Sequence, residues 1–463
     1  MSEMREFDVV VVGAGPAGEV CAGRLADNGL SVALVERDLI GGECSFYACM
    51  PSKALLRPAQ ALAEALRVAG AAEAAQGSLD VGAVLARRDE IIHELDDSGQ
   101  LPWLEERDIV LFRGHGQLTG ERMLRVGEED LRARRAVVLA PGTRASLPPI
   151  PGLREAEPWT NREVTTASAV PRSLLVLGGG VVGVEMAQAY ASLGARVTIV
   201  EALEQLIAGE ELFASDLVRE GLESQGVEVI LGVKASAVAR DAEGAVSVEL
   251  EDGRSHGAEE LLVAVGRTPN TESLGLESIG LESGGSIEVD DALRVPGRDW
   301  LYVVGDANGR VLLTHMGKYQ ARLAADRILG RPGELRSDGR LSPRVIFTEP
   351  QVAAVGHSLA SAREAGISAY AVEQSVEGNA GGTYVGHGAP GTARIVIDRD
   401  RGVLVGATFT GVEVAESLHA ATIALAGEVP VERLAHAVPC FPTRSEVWLN
   451  LLEALEREDW VQS

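Results

Sequence analysis

The chain is poor in cysteine, in lysine and in long apolar runs. Its four cysteines, Cys21, Cys44, Cys49 and Cys440, are too few to hold 463 residues together as a disulfide scaffold. No uninterrupted apolar stretch reaches the roughly 18 residues that a spanning helix needs, so membrane insertion is not expected. The longest such stretch beside a motif, residues 174–184, is interrupted by glycines. There is no basic tract either. The formal net charge of −26 argues against nucleic acid or an anionic membrane surface as a partner. The opening Met1-Ser2-Glu3-Met4-Arg5-Glu6 lacks the basic, apolar and small-residue segments of a signal peptide, which makes the cytoplasm the expected location. Lysine occurs only at Lys53, Lys234 and Lys318 while arginine is abundant, so any lysine that falls in a motif stands out.

What is present is a chain long enough for about three domains, organised by an internal repeat. Residues 8–18 read Asp-Val-Val-Val-Val-Gly-Ala-Gly-Pro-Ala-Gly, and residues 173–183 read Ser-Leu-Leu-Val-Leu-Gly-Gly-Gly-Val-Val-Gly. Each is a buried-strand pattern running into G-x-G-x-x-G and then a helical pattern. The offset is about 165 residues throughout: Gly13, Gly15 and Gly18 map onto Gly178, Gly180 and Gly183, and Glu36 maps onto Glu201. Each glutamate ends a second apolar strand, at 32–35 and 197–200. The first glycine permits the tight turn, the second lets backbone approach a pyrophosphate, and the third lets helix and strand pack closely. The phosphates then meet free N–H groups at a helix start, and the glutamate accepts hydrogen bonds from an adenosine ribose. A pair of unrelated tight turns would not explain the paired glutamates. Two dinucleotide sites in one chain point to a flavin adenine dinucleotide and a nicotinamide dinucleotide. After the second strand the chain reads Glu201-Ala202-Leu203-Glu204-Gln205, with no arginine for a 2′-phosphate and two carboxylates to repel it. This predicts NADH rather than NADPH.

Two cysteines lie five residues apart in Gly41-Gly42-Glu43-Cys44-Ser45-Phe46-Tyr47-Ala48-Cys49-Met50-Pro51-Ser52-Lys53, just before an Ala- and Leu-rich helical pattern over 54–65. Such a pair suggests redox chemistry or a metal, against the plainer reading of two separate core cysteines. No clustered His or Cys is present to complete a metal site. At a helix start, free N–H groups lower a thiol pKa. Residues five apart in a regular helix have Cα atoms roughly 8–9 Å apart, whereas a disulfide wants about 4.4–6.8 Å. A bridge therefore requires an irregular first turn.

Together these motifs resemble the pyridine nucleotide-disulfide oxidoreductases of the dihydrolipoamide dehydrogenase, glutathione reductase and mercuric reductase type, over essentially the whole chain. Further segments carry the resemblance in order: Ala140-Pro141-Gly142; Gly266-Arg267-Thr268-Pro269-Asn270; Tyr302-Val303-Val304-Gly305-Asp306; Leu313-Thr314-His315; and Phe347-Thr348-Glu349-Pro350-Gln351-Val352. The resemblance implies an α/β fold with two Rossmann-like dinucleotide-binding domains, for FAD and NAD, and a C-terminal α/β dimerisation domain. It implies an FAD domain in two parts (1–150 and 268–340), an NAD domain (151–267) and an interface domain (341–463). It assigns FAD to Gly13, Gly15, Gly18, Glu36, Gly42, Lys53, Gly116, Gly142, Asp306, Leu313, Thr314 and His315. Asp306 would bind the ribityl chain, and 313–315 would run under the isoalloxazine ring. NADH falls to Gly178, Gly180, Gly183, Glu201 and Gly266. Cys49 would be the sulfur nearer the flavin and Cys44 the interchange thiol, with Lys53 near the flavin and paired to Glu185. A homodimer and a small-molecule electron acceptor are implied as partners.

The C-terminus departs from that pattern. Dithiol-oxidising members carry His-x-His-Pro-Thr-x-Ser-Glu, whose second histidine is the general base for the other subunit's interchange thiol and whose glutamate orients it. Here the stretch is His436-Ala437-Val438-Pro439-Cys440-Phe441-Pro442-Thr443-Arg444-Ser445-Glu446. Aligned on Pro-Thr-x-Ser-Glu, the base position holds Phe441; aligned on His-x-His-Pro it holds Val438, with two residues inserted. Either way Glu446 has no imidazole there. Cys440 beside the vacancy is either a third thiol of the site or a small packing residue, and His436 is an alternative base. Phe46 and Tyr47, between the redox cysteines, are bulkier than usual for the family. The tail Trp460-Val461-Gln462-Ser463 lacks the vicinal cysteines of mercuric reductases, and Cys21 falls on the first Rossmann helix. The expected activity is an NADH-dependent flavoprotein reductase of a disulfide or a quinone. The rivals are a dihydrolipoamide dehydrogenase with a substituted base and a non-catalytic flavoprotein acting through partners.

Overall fold

The computed structural model describes residues 4–386 and 388–462, with side chains to Leu455. The readings made on residues 1–3 and on the side chains of 460–463 lie outside those bounds. The chain divides into two compact units. The first comprises Met1–Pro51, Arg88–Ser146 and Gly266–Gly339; the second comprises Ser52–Arg87, Leu147–Val265 and Arg340–Ser463.

The first unit is built on a seven-stranded sheet. Its central strand β1 (Arg5–Val12) is a valine run buried on both faces, as parallel strands covered by helices are. It pairs in parallel with β2 (Val32–Glu36) on one side and with Glu129–Leu139 on the other. Helix α1 (Pro16–Ala26) connects the first two strands, with Pro16 at its start where a missing N–H costs nothing. Leu301–Val303 adds in parallel beyond Glu129–Leu139 and leads into the turn that carries Asp306. The helix Thr314–Ile328 packs on α1, close enough at the start that a Cβ on Gly317 would lie 3.4 Å from Ala17 Cβ. A short antiparallel pair, Thr143–Ala145 with Arg267–Pro269, joins the end of this unit's second segment to the start of its third.

The second unit repeats the motif. Ser173–Leu177 pairs in parallel with Arg196–Val200 and with Glu260–Val263, and Val181–Ser192 is the connecting helix. The register repeats too: Val9 faces Val32 in the first unit and Leu174 faces Val197 in the second, at the same sequence offset. A three-stranded antiparallel sheet follows, and residues 344–411 form a five-stranded antiparallel sheet. Helices Leu418–Ala426 and Glu446–Gln462 pack on this sheet, with the Phe409 and Trp448 rings 5.4 Å apart in its core. Mixed α/β architecture with parallel dinucleotide-type sheets is thus the observed fold. No helix of the described residues is long and apolar enough to cross a membrane.

Candidate functional site

The two glycine-rich loops show why each glycine is there. Gly13 and Gly178 have φ of +102° and +109°, and a Cβ on either would strike the carbonyl oxygen of Ala140 or Ala264 at 2.1 and 2.5 Å. A Cβ on Gly18 would lie 1.8 Å from the Gly13 oxygen, and one on Gly183 1.9 Å from the Gly178 oxygen. Gly15 and Gly180 differ: a Cβ there meets nothing within 4 Å. The first and third glycines close the turn, while the second opens onto free space at a helix start, which is the cradle a pyrophosphate needs. The acidic residues repeat as well. Glu36 Oε2 accepts from Ala14 N at 2.6 Å and its Oε1 from Asp38 N at 2.7 Å. Glu201 Oε2 accepts from Gly179 N at 2.6 Å and its Oε1 from Leu203 N at 2.8 Å. Both carboxylates are thus fixed by two amides of their own loops, with further acceptor capacity on each oxygen.

The remaining positions of the first unit gather at the strand ends. Gly42 (φ +59°) sits against Gly15, where a Cβ would come within 2.8 Å of Gly15 Cα. Gly116 starts a strand against Val35 and Val12, and Gly142 (φ +66°) hydrogen-bonds through its carbonyl to Asn270 N at 3.0 Å. Gly266 holds Ser146 N at 3.0 Å through its carbonyl. Asp306 is largely buried, and burial pushes its carboxyl up against the opposing pull of the Thr143 hydroxyl, 2.8 Å away, and of the Arg267 guanidinium. Arg267 in turn donates to Thr143 Oγ1 at 2.9 Å and lies 3.7 Å from Glu43.

The cysteine pair spans a break between two helices. Cys44 lies in α2 (Gly42–Phe46); Tyr47 has φ −132°, and Cys49 opens α3 (Cys49–Arg67). This is the irregular turn that a bridge across five residues requires. Both cysteines are present as thiols, hydrogen-bonded to each other. Thr314, the first residue of its helix, brings its Oγ1 to 3.4 Å from Cys49 Sγ, so of the segment 313–315 it is the threonine that meets the pair. One expectation is overturned. The helix start does not leave Cys44 with a lowered thiol pKa: the hydrogen bond from Cys49, burial and the neighbouring thiol's charge push it up. In the dithiol state the hydrogen bond between the two thiols and their burial oppose ionisation of Cys44. Leu313 precedes the helix as its cap residue, and His315 is exposed.

In the second unit, Lys53 Nζ donates to Glu185 Oε2 at 2.7 Å. Glu185 lies in the helix after the second glycine loop, and its other oxygen accepts from Phe347 N at 2.9 Å. The Lys53 ammonium also stands 4.7 Å from the centre of the Phe347 ring.

Further along this unit, residues 436–446 form a loop leading into the helix Glu446–Gln462. Val438 and Phe441 are 82% and 77% exposed, so neither is a core residue in the single chain. Cys440 is exposed, and its carbonyl accepts from Thr443 Oγ1 at 2.6 Å. His436 is exposed. Glu446 Oε2 accepts from Gly381 N at 3.3 Å. Cys21 is fully buried, and burial pushes its thiol up to about 12.

Sequence reasoning did not single out Thr143, Arg267 as the partner that steadies it, or the Phe347 amide on Glu185. Each adjoins a recognised motif, and that adjacency is the only signal the sequence offers. It also left Glu19 and Lys318 unassigned, although lysine scarcity had marked the latter.

Residues 7–321 match the family model described as pyridine nucleotide-disulphide oxidoreductase, and residues 342–452 match its dimerisation domain. The chain is 30% identical to a dihydrolipoyl dehydrogenase of Haloferax volcanii, over 96% of this chain and 95% of that protein. It is 28% identical to a mercuric reductase of Staphylococcus aureus, over 95% of this chain and 81% of that protein. Among solved structures it resembles the HOCl-induced flavoprotein disulfide reductase RclA from Escherichia coli, with a TM-score of 0.85, 25% identity, and 96% and 99% of the two chains covered.

Proposed function

The chain belongs to the pyridine nucleotide-disulphide oxidoreductase family, and on that premise we propose that it carries electrons from NADH, by way of FAD and the Cys44–Cys49 pair, to a disulfide or quinone-type acceptor. The family uses FAD and NAD(P)H, and the chain is an oxidoreductase of that family. The residues present fit both groups, since the second glycine of each loop opens onto space that its neighbours lack. Gly13, Gly15, Gly18, Glu36 and Asp306 would hold FAD, and Gly178, Gly180, Gly183 and Glu201 would hold NADH. The carboxylates of Glu201 and Glu204 favour NADH over its 2′-phosphorylated form. Bound FAD supplies two-electron transfer between a nicotinamide and a disulfide.

The observation that carries the reading is the pair of thiols in mutual hydrogen-bond contact across a helix break, with the Thr314 hydroxyl on Cys49. Oxidised, this pair is one disulfide; two electrons and two protons convert it to two thiols. The Cys44 thiolate then attacks an acceptor disulfide and releases one acceptor thiol. Cys49 displaces the second, and the internal bond re-forms with both protons leaving on the acceptor. Lys53, tied to Glu185, is assigned to the flavin side of the pair and Cys44 to the acceptor side. The chain is proposed to work as a homodimer through residues 342–452, in the cytoplasm, with a small-molecule acceptor.

The acceptor is assigned from Phe441. An aromatic ring takes no proton, so dithiol oxidation would proceed without the 10²–10⁴-fold that a placed base contributes, roughly. Electron transfer to a quinone need not deprotonate a dithiol, so the missing base favours a quinone-type acceptor, while the intact Cys44 and Cys49 pair favours a disulfide. The similarity to dihydrolipoyl dehydrogenases favours a second reading, in which another group replaces the histidine. The deciding experiment compares NAD⁺ reduction by dihydrolipoamide with NADH oxidation by aromatic disulfides and by quinones, using FAD-loaded protein and Cys44→Ser. The proposal expects slow dihydrolipoamide turnover beside faster acceptor reduction. Brisk dihydrolipoamide turnover that Cys44→Ser abolishes would replace it with the second reading.

A further inference from the structure

Aromatic side chains are scarce in this chain, with 7 Phe, 6 Tyr and 5 Trp in 463 residues. Among the described residues only two of them are exposed, Tyr384 at 60% and Phe441 at 77%. The two are distant in sequence. Yet the Tyr384 hydroxyl donates to the carbonyl of Pro442, the residue after Phe441, at 3.2 Å. A lone exposed aromatic residue needs no explanation, whereas all the exposed rings at one place mark a site of interaction.

The local chain is built to hold Tyr384 there. It follows a single helical turn, Ala380–Thr383, capped by Asn379, whose Oδ1 accepts from Gly382 N at 2.7 Å. The turn lies directly on the loop that carries Phe441. Gly381 N donates to Glu446 Oε2 at 3.3 Å, and a Cβ on Gly381 would come within 2.1 Å of the Thr443 carbonyl carbon. Only glycine lets the two segments approach so closely. On the other side of Tyr384, Gly386 closes on the end of α3, where a Cβ would lie 2.5 Å from the Arg67 oxygen. Tyr384 is therefore fixed between two glycine contacts and by its own hydroxyl, while its ring stays exposed.

We propose that the Tyr384 and Phe441 rings together select the acceptor by stacking, and that this acceptor is a neutral planar quinone. The inference rests on the reading that residues 436–446 face the acceptor. Aromatic faces reward a flat ring system through offset stacking, and an aliphatic disulfide gains nothing comparable. The formal net charge of −26 disfavours an anionic acceptor. The chemistry balances without an imidazole: NADH gives up a hydride and becomes NAD⁺, and the quinone takes two electrons and two protons, the second from solvent, and leaves as hydroquinone. Neither ring takes part in proton or electron transfer, so both are specificity-determining residues.

The test follows NADH oxidation by FAD-loaded enzyme with 2,3-dimethyl-1,4-naphthoquinone, whose filled quinone ring does not add thiols, and with ferricyanide, which has no ring to stack. Both residues are exposed, so Tyr384→Leu, Tyr384→Phe and Phe441→Leu are expected to fold. Leucine keeps apolar surface and removes the π face. Each leucine variant should raise the quinone KM about three- to tenfold relative to that for ferricyanide, with the change in KM rather than kcat. Tyr384→Phe keeps the ring and should stay within about twofold of wild type. A quinone KM unmoved in the leucine variants overturns the inference, and so does an equal change for both acceptors. A Tyr384→Phe variant as impaired as Tyr384→Leu overturns it too, because the hydroxyl on Pro442 and not the ring would then matter. Dissociation of either leucine variant in sedimentation velocity, from a dimeric wild type, would assign the rings to a contact with a second copy instead. If wild type reduces no quinone although NADH reduces its flavin, the parent reading fails. The same variants are then compared by equilibrium dialysis of the quinone, where a three- to tenfold loss of affinity is roughly the expected result and its absence overturns the inference.

Discussion

Removing the ammonium of Lys53 should destabilise the protein more than removing the charge of its partner. The pair is asymmetric: the Glu185 side chain is 3% exposed and that of Lys53 35%. Stripping one partner from a fully buried ion pair costs about 3–5 kcal/mol, because the other charge is left without compensation. An exposed pair is worth about 0–1 kcal/mol. In Lys53→Met the stranded group is the buried carboxylate, which keeps only the Phe347 N–H at 2.9 Å. Discounting for solvent at the lysine end places the loss at about 2–3 kcal/mol. In Glu185→Gln the amide oxygen can still accept from Phe347, and the stranded ammonium reaches water and keeps the Phe347 ring, so about 1 kcal/mol is expected. The double variant should lose less than the sum, since the carboxylate that Lys53→Met strands is gone. Thermal unfolding by circular dichroism, at fixed protein and FAD concentration, reads the order directly. Equal melting temperatures for Lys53→Met and wild type, or a larger drop for Glu185→Gln, would refute the claim that Glu185 depends on Lys53 inside the fold.

Two further outcomes follow from the same geometry. Gly180→Val should leave folding and FAD content intact while raising the KM for NADH about tenfold or more, because its side chain enters free space that the pyrophosphate needs; Gly183→Ala, whose Cβ would lie 1.9 Å from the Gly178 oxygen, should instead reduce soluble, folded protein. Unchanged NADH kinetics in the valine variant would remove the dinucleotide from that loop. Glu19→Gln should stabilise the protein in a pH-dependent way. The folded carboxyl sits at about 7 against 4.5 for the free group, so between these values the unfolded state ionises first and stability falls as pH rises. The variant should match wild type below about pH 4.5 and exceed it by up to about 3 kcal/mol above pH 7; a constant difference across melting curves at pH 4.5, 6 and 8 would contradict this.

What was legible in the sequence is what repeats or is local. The offset that maps Glu36 onto Glu201 extends to the individual amide each carboxylate accepts, Ala14 and Gly179, because the same turn chemistry builds both loops. The helix break between Cys44 and Cys49 was required by distance alone, but its place at Tyr47 was not legible, since neither Tyr47 nor Ala48 is a strong helix breaker. The network of Asp306, Thr143 and Arg267 joins residues more than a hundred positions apart with no shared period. The charge environment of Cys44 was misjudged for the same reason. A helix start is a local signal that lowers a thiol pKa, whereas the hydrogen-bonded second thiol and the burial of Cys44 are contributions of the folded arrangement.

The stretch around Phe441 permits a gain-of-function test that loss of activity cannot give. Phe441 is 77% exposed in the single chain, so replacing it should cost less than about 0.5 kcal/mol of intrinsic stability. Glu446 begins its helix anchored by the Gly381 amide, a carboxylate in place to fix an imidazole tautomer. If the missing base is what keeps the enzyme from oxidising dithiols, Phe441→His should raise dihydrolipoamide-dependent NAD⁺ reduction by at least about tenfold, within the 10²–10⁴-fold a placed base contributes. The gain should be lost below about pH 6.5, where an ordinary imidazole is protonated and cannot accept the thiol proton. It should vanish in Phe441→His/Glu446→Gln if the carboxylate orients the ring. Val438→His tests the other alignment of the same stretch. A tenfold rise from either restores the family's dithiol chemistry and identifies the vacancy. No rise from either, with NADH-driven acceptor reduction intact, means that the path of residues 437–442 excludes dithiol chemistry rather than merely lacking its base, and the acceptor must then be matched to a pocket built around Phe441.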